Sequence, residues 1–141
     1  MSAQDNAVLA RRIYQLFSED KLEHVLELVS EDIETVLIPF GQTFHNREGF
    51  MQFMQGFKGA FPDIRITVTN QVATEESVVT EFTARGTHTG PMLTPTGEIP
   101  PTGRTVDFIV CEVCRVKNGQ IASLRNYQDS AAIMRQLGLL S

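Results

Sequence analysis

Apolar residues recur at helical spacing over Asn6–Ser18, where Val8, Leu9, Ile13, Leu16 and Phe17 form a stripe and Arg11, Arg12 and Gln15 fall off it. This pattern predicts a first helix. Asp20 reads as the N-cap of a second, Lys21–Val29, with Leu22, Val25, Leu26 and Val29 on its stripe. Ile33–Phe40 is rich in β-branched residues and reads as a strand, and Gly41–Phe44 as a short return strand. A third helix is predicted over Arg47–Phe61, capped by Asn46 and stopped by Pro62-Asp63. Its apolar face carries Phe50, Phe53, Met54, Phe57 and Phe61.

After Pro62 the period falls to two. Ile64, Ile66 and Val68 alternate with Arg65, Thr67 and Thr69, as in a half-buried strand. Thr74-Glu75-Glu76 reads as a turn, Ser77–Thr89 and Arg104–Lys117 as long strands, and Asn118-Gly119 as a type I′ hairpin turn. Gln120–Asp129 is the last strand and Ser130–Leu137 a short final helix, with Gly138 as its C′ residue. Helices that precede a run of strands indicate an α+β fold. The expected shape is a curved antiparallel or mixed sheet with N-terminal helices packed on its concave face, a cone whose open end makes an apolar pocket. Residues 1–141 read as one domain.

One segment breaks the rhythm. Arg85–Arg104 holds four glycines, four prolines and five threonines between two predicted strands. A long insert in a compact domain is functional or disordered, and this one carries little charge, so it reads as an ordered rim over the pocket's mouth.

Composition narrows the partners. The 141 residues are 42% hydrophobic and 21% charged with a net charge of −5, and no basic cluster suited to a nucleic-acid backbone is present. No apolar run approaches a membrane span, and the polar start of the chain lacks signal-peptide regions, so the expected location is the cytoplasm. Cys111 and Cys114 lie three apart on one strand and therefore point to opposite faces. They read as small hydrophobes rather than a metal or redox pair, and no cofactor or metal is expected. The strand face bearing Ile109, Cys111 and Val113 is more apolar than a solvated face requires, which predicts a homodimer or higher homo-oligomer.

Strand alternation selects the pocket residues. His88 continues the more apolar row of Val78, Thr80, Phe82, Ala84 and Gly86. It is either a core-edge histidine bonded to a backbone carbonyl or an imidazole able to donate to a carbonyl or enolate oxygen. Glu112 is the one charge on the row Val106, Phe108, Val110, Cys114 and Val116. It is either salt-bridged to a neighbouring arginine or an acid/base with a raised pKa. The end of the last strand, Asn126-Tyr127-Gln128, is polar on both faces and so a candidate lining, with Tyr14, Phe53, Phe82 and Phe108 completing the pocket wall. Asp129, placed before the final helix, reads by position as an N-cap. His45 reads as a surface residue near the third helix's start.

Several segments together resemble the SnoaL-like polyketide cyclase family of the nuclear transport factor 2-like superfamily. They are Gly86-Thr87-His88-Thr89-Gly90-Pro91, Ile99-Pro100-Pro101-Thr102-Gly103-Arg104, Arg115–Ile121, Asp129 and Gln136-Leu137-Gly138-Leu139. The resemblance implies the α+β cone and a cofactor-free intramolecular aldol condensation of a polyketide ester. The implied substrate is a small apolar or aromatic molecule, and the implied general acid/base is an aspartate at the position of Asp129. Where many relatives carry tryptophan in the last strand, this chain has Arg125. The superfamily's epoxide hydrolases carry an aspartate where this chain has Asn126. A non-catalytic ligand-binding domain and an epoxide hydrolase-like enzyme are the alternatives.

Overall fold

The computed structural model, which describes residues 2–140, has four helices and eight strands, the predicted order with two short strands added in the rim segment. They are α1 (Ala3–Ser18), α2 (Leu22–Leu26), β1 (Val29–Leu37), β2 (Gln42–His45), α3 (Asn46–Ala60), β3 (Arg65–Ala73), β4 (Ser77–Thr87), β5 (Met92–Thr94), β6 (Gly97–Ile99), β7 (Thr105–Lys117), β8 (Gln120–Gln128) and α4 (Ser130–Gln136). A single 3-10 turn, Ile38–Phe40, links β1 to β2. The main sheet has six strands in the order β2-β1-β8-β7-β4-β3. Its pairings are antiparallel except β1 with β8, so the sheet is mixed. α1 packs over β3 and β4, and α3 over β1 and β2. Between helices and sheet lies one core that includes Ile33, Phe50, Phe61, Val78 and Ile121.

Local chemistry corrects several boundaries. α1 starts earlier than the apolar stripe because Ser2 and Asp5 form a capping box, each side chain bonding the other's backbone N–H. Asp20 does not cap α2. It takes φ 63° as the left-handed residue that ends α1, with Lys21 N–H donating to Leu16 O and Asp20 N–H to Phe17 O, which is a Schellman arrangement. That turn consumes the residues that would have lengthened α2. Asn46 likewise has φ 66° and offers no side-chain cap; His45 precedes α3 as its N-cap residue. Val29 opens β1 rather than closing a helix.

Two features shape the site. Asn118 and Gly119 have φ of 52° and 74°, the two positive values a type I′ turn demands. Two positions along the hairpin, β8 carries a bulge: Val116 pairs with Ile121, but Arg115 pairs with Ser123. The extra residue, Ala122, reverses which β8 side chains face the concave side. At the rim, the Pro/Gly-rich segment folds into a β5–β6 hairpin instead of remaining a structureless loop. Gly90 anchors it. Its N–H donates to Ala60 O at 3.2 Å, and a Cβ on Gly90 would collide with the carbonyl oxygen of Gly59.

Candidate active site

The register lines up four polar residues across the otherwise apolar concave face. Gln71 of β3 pairs with Thr80 of β4, Thr80 with Glu112 of β7, and Glu112 with Asn126 of β8. Cross-strand partners point to the same side, so these side chains form one row. Glu112 is its centre, at 5% exposure. Tyr14 reaches down from α1 and donates its hydroxyl to Glu112 Oε1 at 2.9 Å, while Asn126 Nδ2 donates to Oε2 at 2.8 Å. Gln71 Nε2 donates to Thr80 Oγ1 at 3.1 Å, and exposed Arg11 Nε donates to Gln71 Oε1 at 2.6 Å. The row thus holds two hydrogen-bonded groups side by side on the floor of the cone, Tyr14–Glu112–Asn126 inside and Arg11–Gln71–Thr80 toward solvent.

The cavity above the row has a volume of about 50 Å³. Its walls are Phe53, Phe82, Phe108, Ile13, Val110 and Leu124, among others, and its polar residues are Tyr14, Glu112 and Asn126. Burial among these apolar groups raises the Glu112 pKa above the usual carboxylate range, against the lowering pull of the Asn126 and Tyr14 hydrogen bonds. Tyr14 is pushed well above the usual phenol value, by burial first and then by the Glu112 carboxylate. The hydroxyl therefore stays a proton donor through the physiological range, whereas the carboxyl is poised closer to neutral. Two titratable groups separated in this way are suited to acid and base roles. No arginine pairs with Glu112, so the salt-bridge alternative does not hold.

The remaining sequence candidates are dispersed. His88 is fully buried but lines neither this cavity nor the larger one at the cone's mouth. Its Nδ1 accepts the Thr102 N–H at 3.2 Å and lies 3.0 Å from Thr102 Oγ1, and its backbone N–H donates to Arg104 O, stitching the two ends of the rim segment together. Burial lowers its pKa. Asp129 follows β8 and is exposed, and its Oδ1 accepts the Ala132 N–H at 3.0 Å as the N-cap of α4. It lines neither cavity. Tyr127 is 38% exposed beneath the Arg125 guanidinium and also lies outside the pocket. Arg125 points outward and leaves the pocket's polarity unchanged. Gln128 faces inward but lines the outer cavity, and His45 is exposed at the end of β2. Cys114 is buried and Cys111 half-buried on the opposite face, so only the former is a core residue. Among the described residues no three His, Cys, Asp or Glu side chains cluster to hold a metal ion. Among the described residues no helix is long and apolar enough to cross a membrane.

Sequence reading missed Thr80 and Gln71 as members of the polar row. Their alternation was visible, but their alignment with Glu112 depends on strand register.

Helices closing the concave face of a curved mixed sheet, over a pocket with one buried carboxylate, define a nuclear transport factor 2-like cone. The chain belongs to the SnoaL-like polyketide cyclase family, whose profile matches residues 7–137. A candidate SnoaL-like polyketide cyclase from Jannaschia sp. CCS1 superposes with a TM-score of 0.87 at 20% identity, covering 99% of this chain and 95% of that one. IdmH, a candidate polyketide cyclase from Streptomyces antibioticus, is 30% identical, with a TM-score of 0.77 over 94% of this chain and 98% of its own. A candidate ketosteroid isomerase from Kribbella flavida DSM 17836 shares the fold at 18% identity and a TM-score of 0.67, over 90% and 78% of the two chains. A search of curated proteins returns no match.

Proposed function

We propose that this protein carries out cofactor-free acid/base chemistry on a small apolar carbonyl compound, of the kind that closes a ring by intramolecular aldol addition, and that Glu112 moves the proton. The observation that carries this reading is the Tyr14–Glu112–Asn126 triad on the floor of the apolar cavity. The family resemblance puts the proton transfer at the position of Asp129. Glu112 is the better seat, because among the described residues lining the inner cavity only it and Tyr14 ionise.

In the proposed sequence, the Glu112 carboxylate takes a proton from the carbon alpha to a carbonyl. The Tyr14 hydroxyl turns from Oε1 to the developing enolate oxygen and stabilises its charge. The enolate carbon attacks a second carbonyl of the same molecule, and Glu112 returns its proton to the new alkoxide. Asn126 holds Oε2 throughout. Folding the substrate inside the cone supplies rate by proximity. A second reading, binding without turnover, draws support from the two Glu112 oxygens already being engaged by neighbours. An epoxide hydrolase is less well supported, since Asn126 sits where a second carboxylate would be needed.

The test is proton exchange. The protein should catalyse deuterium uptake from D2O into the methyl group of acetonaphthone, followed by NMR. Glu112→Gln should lose about 10²-fold or more of that rate, and Asp129→Asn should stay within about threefold of the parent, since a helix cap takes no part in proton transfer. Equal loss in both variants would return the role to Asp129, and no exchange by the parent would favour binding alone. Two copies are expected to pair through the outer sheet face, where Ile109 is 60% and Val72 is 61% exposed. A monomer in light scattering at micromolar concentration would refute the pairing.

A further inference from the structure

The cavity that holds the chemistry is too small for a substrate with two carbonyls and a ring to close. About 50 Å³ takes a few water-sized groups, whereas pockets for whole drug-sized molecules measure about 300–1,000 Å³. A second cavity of about 460 Å³ opens at the mouth of the cone, between α3, β2 and the β5–β6 hairpin. Phe53 and Phe57 line both. Their rings meet edge to face with centroids 5.3 Å apart, and they form a partition between the chambers. Phe57 is only half-buried, so one side of the partition has room to turn.

The outer chamber has a chemistry of its own. Leu37, Phe40, Phe44, Met92 and Leu93 give it apolar walls. Four glutamine amides, Gln42, Gln52, Gln55 and Gln128, and the Thr94 hydroxyl supply polar contacts without charge. Gln128 Oε1 is buried and has no hydrogen-bond partner. An unpartnered buried acceptor of this kind gains from a donor brought by a ligand. Gly56 lines the same chamber within α3, and a Cβ added there would meet nothing within 4 Å. Glycine inside a helix costs about 1 kcal/mol relative to alanine. No close approach requires it here; what the missing side chain leaves open is chamber volume.

We propose that the two chambers are one substrate site divided by Phe53 and Phe57. The substrate is uncharged. It seats an apolar body bearing hydroxyl or carbonyl groups against the glutamines of the outer chamber, and passes its reactive carbonyl inward when the two rings turn. This rests on Glu112 being the reacting group, but its tests read binding rather than turnover.

The probe is prodan, a neutral naphthyl ketone whose emission shifts to the blue in apolar surroundings. It should bind the parent protein with a blue shift, and naphthalenesulfonate should bind at least tenfold more weakly. Gly56→Leu projects a side chain into the outer chamber while strengthening the helix. It should weaken prodan binding at least tenfold with an unchanged far-UV circular dichroism spectrum. Phe57→Ala removes half the partition and should raise the stopped-flow association rate at least threefold. The proposal is overturned if prodan does not bind, if the sulfonate binds as tightly, if Gly56→Leu leaves the affinity unchanged, or if Phe57→Ala leaves the rate unchanged. Loss of exchange activity at Glu112 bears only on the chemistry, and loss of prodan binding at Gly56 only on the site's extent, so either reading can fail alone.

Discussion

Glu112 and Asp129 are both carboxylates, one within β7 and one just after β8, and each accepts hydrogen bonds, yet they live in opposite settings. Glu112 points into the cone, with a phenol and an amide as donors and hydrocarbon on the remaining sides. Asp129 points away from it, in solvent, and takes its hydrogen bond from the first turn of a helix. Burial shifts the pKa of the first upward. The contrast teaches that position along the chain is a weaker guide to chemistry than the dielectric a side chain is folded into. An aspartate before a terminal helix can cap it while the buried carboxylate sits on the neighbouring strand.

The contrast can be broken most sharply by truncation. Glu112→Ala strands the Tyr14 hydroxyl and the Asn126 amide inside the core and leaves a hole between them. It should cost about 3 kcal/mol in urea unfolding. A cost below about 1 kcal/mol would mean that water already enters the cavity and that Glu112 is effectively exposed.

A smaller effect is the pH dependence. Burial holds the folded Glu112 pKa above its unfolded value. Below the ordinary carboxylate range both states keep the proton, and the stability tied to this group is fully present. As pH rises toward the raised folded value, the unfolded chain gives up its proton first. The native state then loses up to about 1.4 kcal/mol per pH unit relative to a Glu112→Gln reference. Unfolding curves of the two proteins should diverge in that direction as pH increases. Parallel curves would remove the raised pKa.

The smallest effect is expected at the exposed carboxylate. Asp129→Ala removes one N-cap and should cost about 1 kcal/mol, the usual price of such a cap. A loss as large as that of Glu112→Ala would show that the α4 corner supports the core more than its exposure suggests.

Much of this arrangement was legible in the chain. Alternation alone put Glu112, Phe108 and Val110 on one face of β7 and Phe82 and Ala84 on one face of β4, and the structure places them there. The last strand was not legible, and the reason is the bulge at Ala122. Counting back from the Asn118-Gly119 turn without it would set Arg125 opposite Glu112, the arrangement that the salt-bridge alternative would need. The single extra residue puts Asn126 there instead and turns Arg125 outward. Tyr14 could be placed only loosely, because its bond to Glu112 joins a helix to a strand far along the chain. The rim hairpin was hidden by Pro91, Pro95 and Pro100, which mask two three-residue strands. Asp20 misled because the same residue type serves both a helix start and a left-handed helix end.

The parallel pairing of β1 with β8 sets a timetable for synthesis. β1 is made early, but the neighbour that covers its inner edge is among the last segments to leave the ribosome. At about 5–20 residues per second, a strand with one apolar face waits several seconds with an open edge. Tyr14 waits similarly for its carboxylate. The nascent chain cannot close the cone by degrees. Its core and its polar floor are completed together, when β8 slides between β1 and β7.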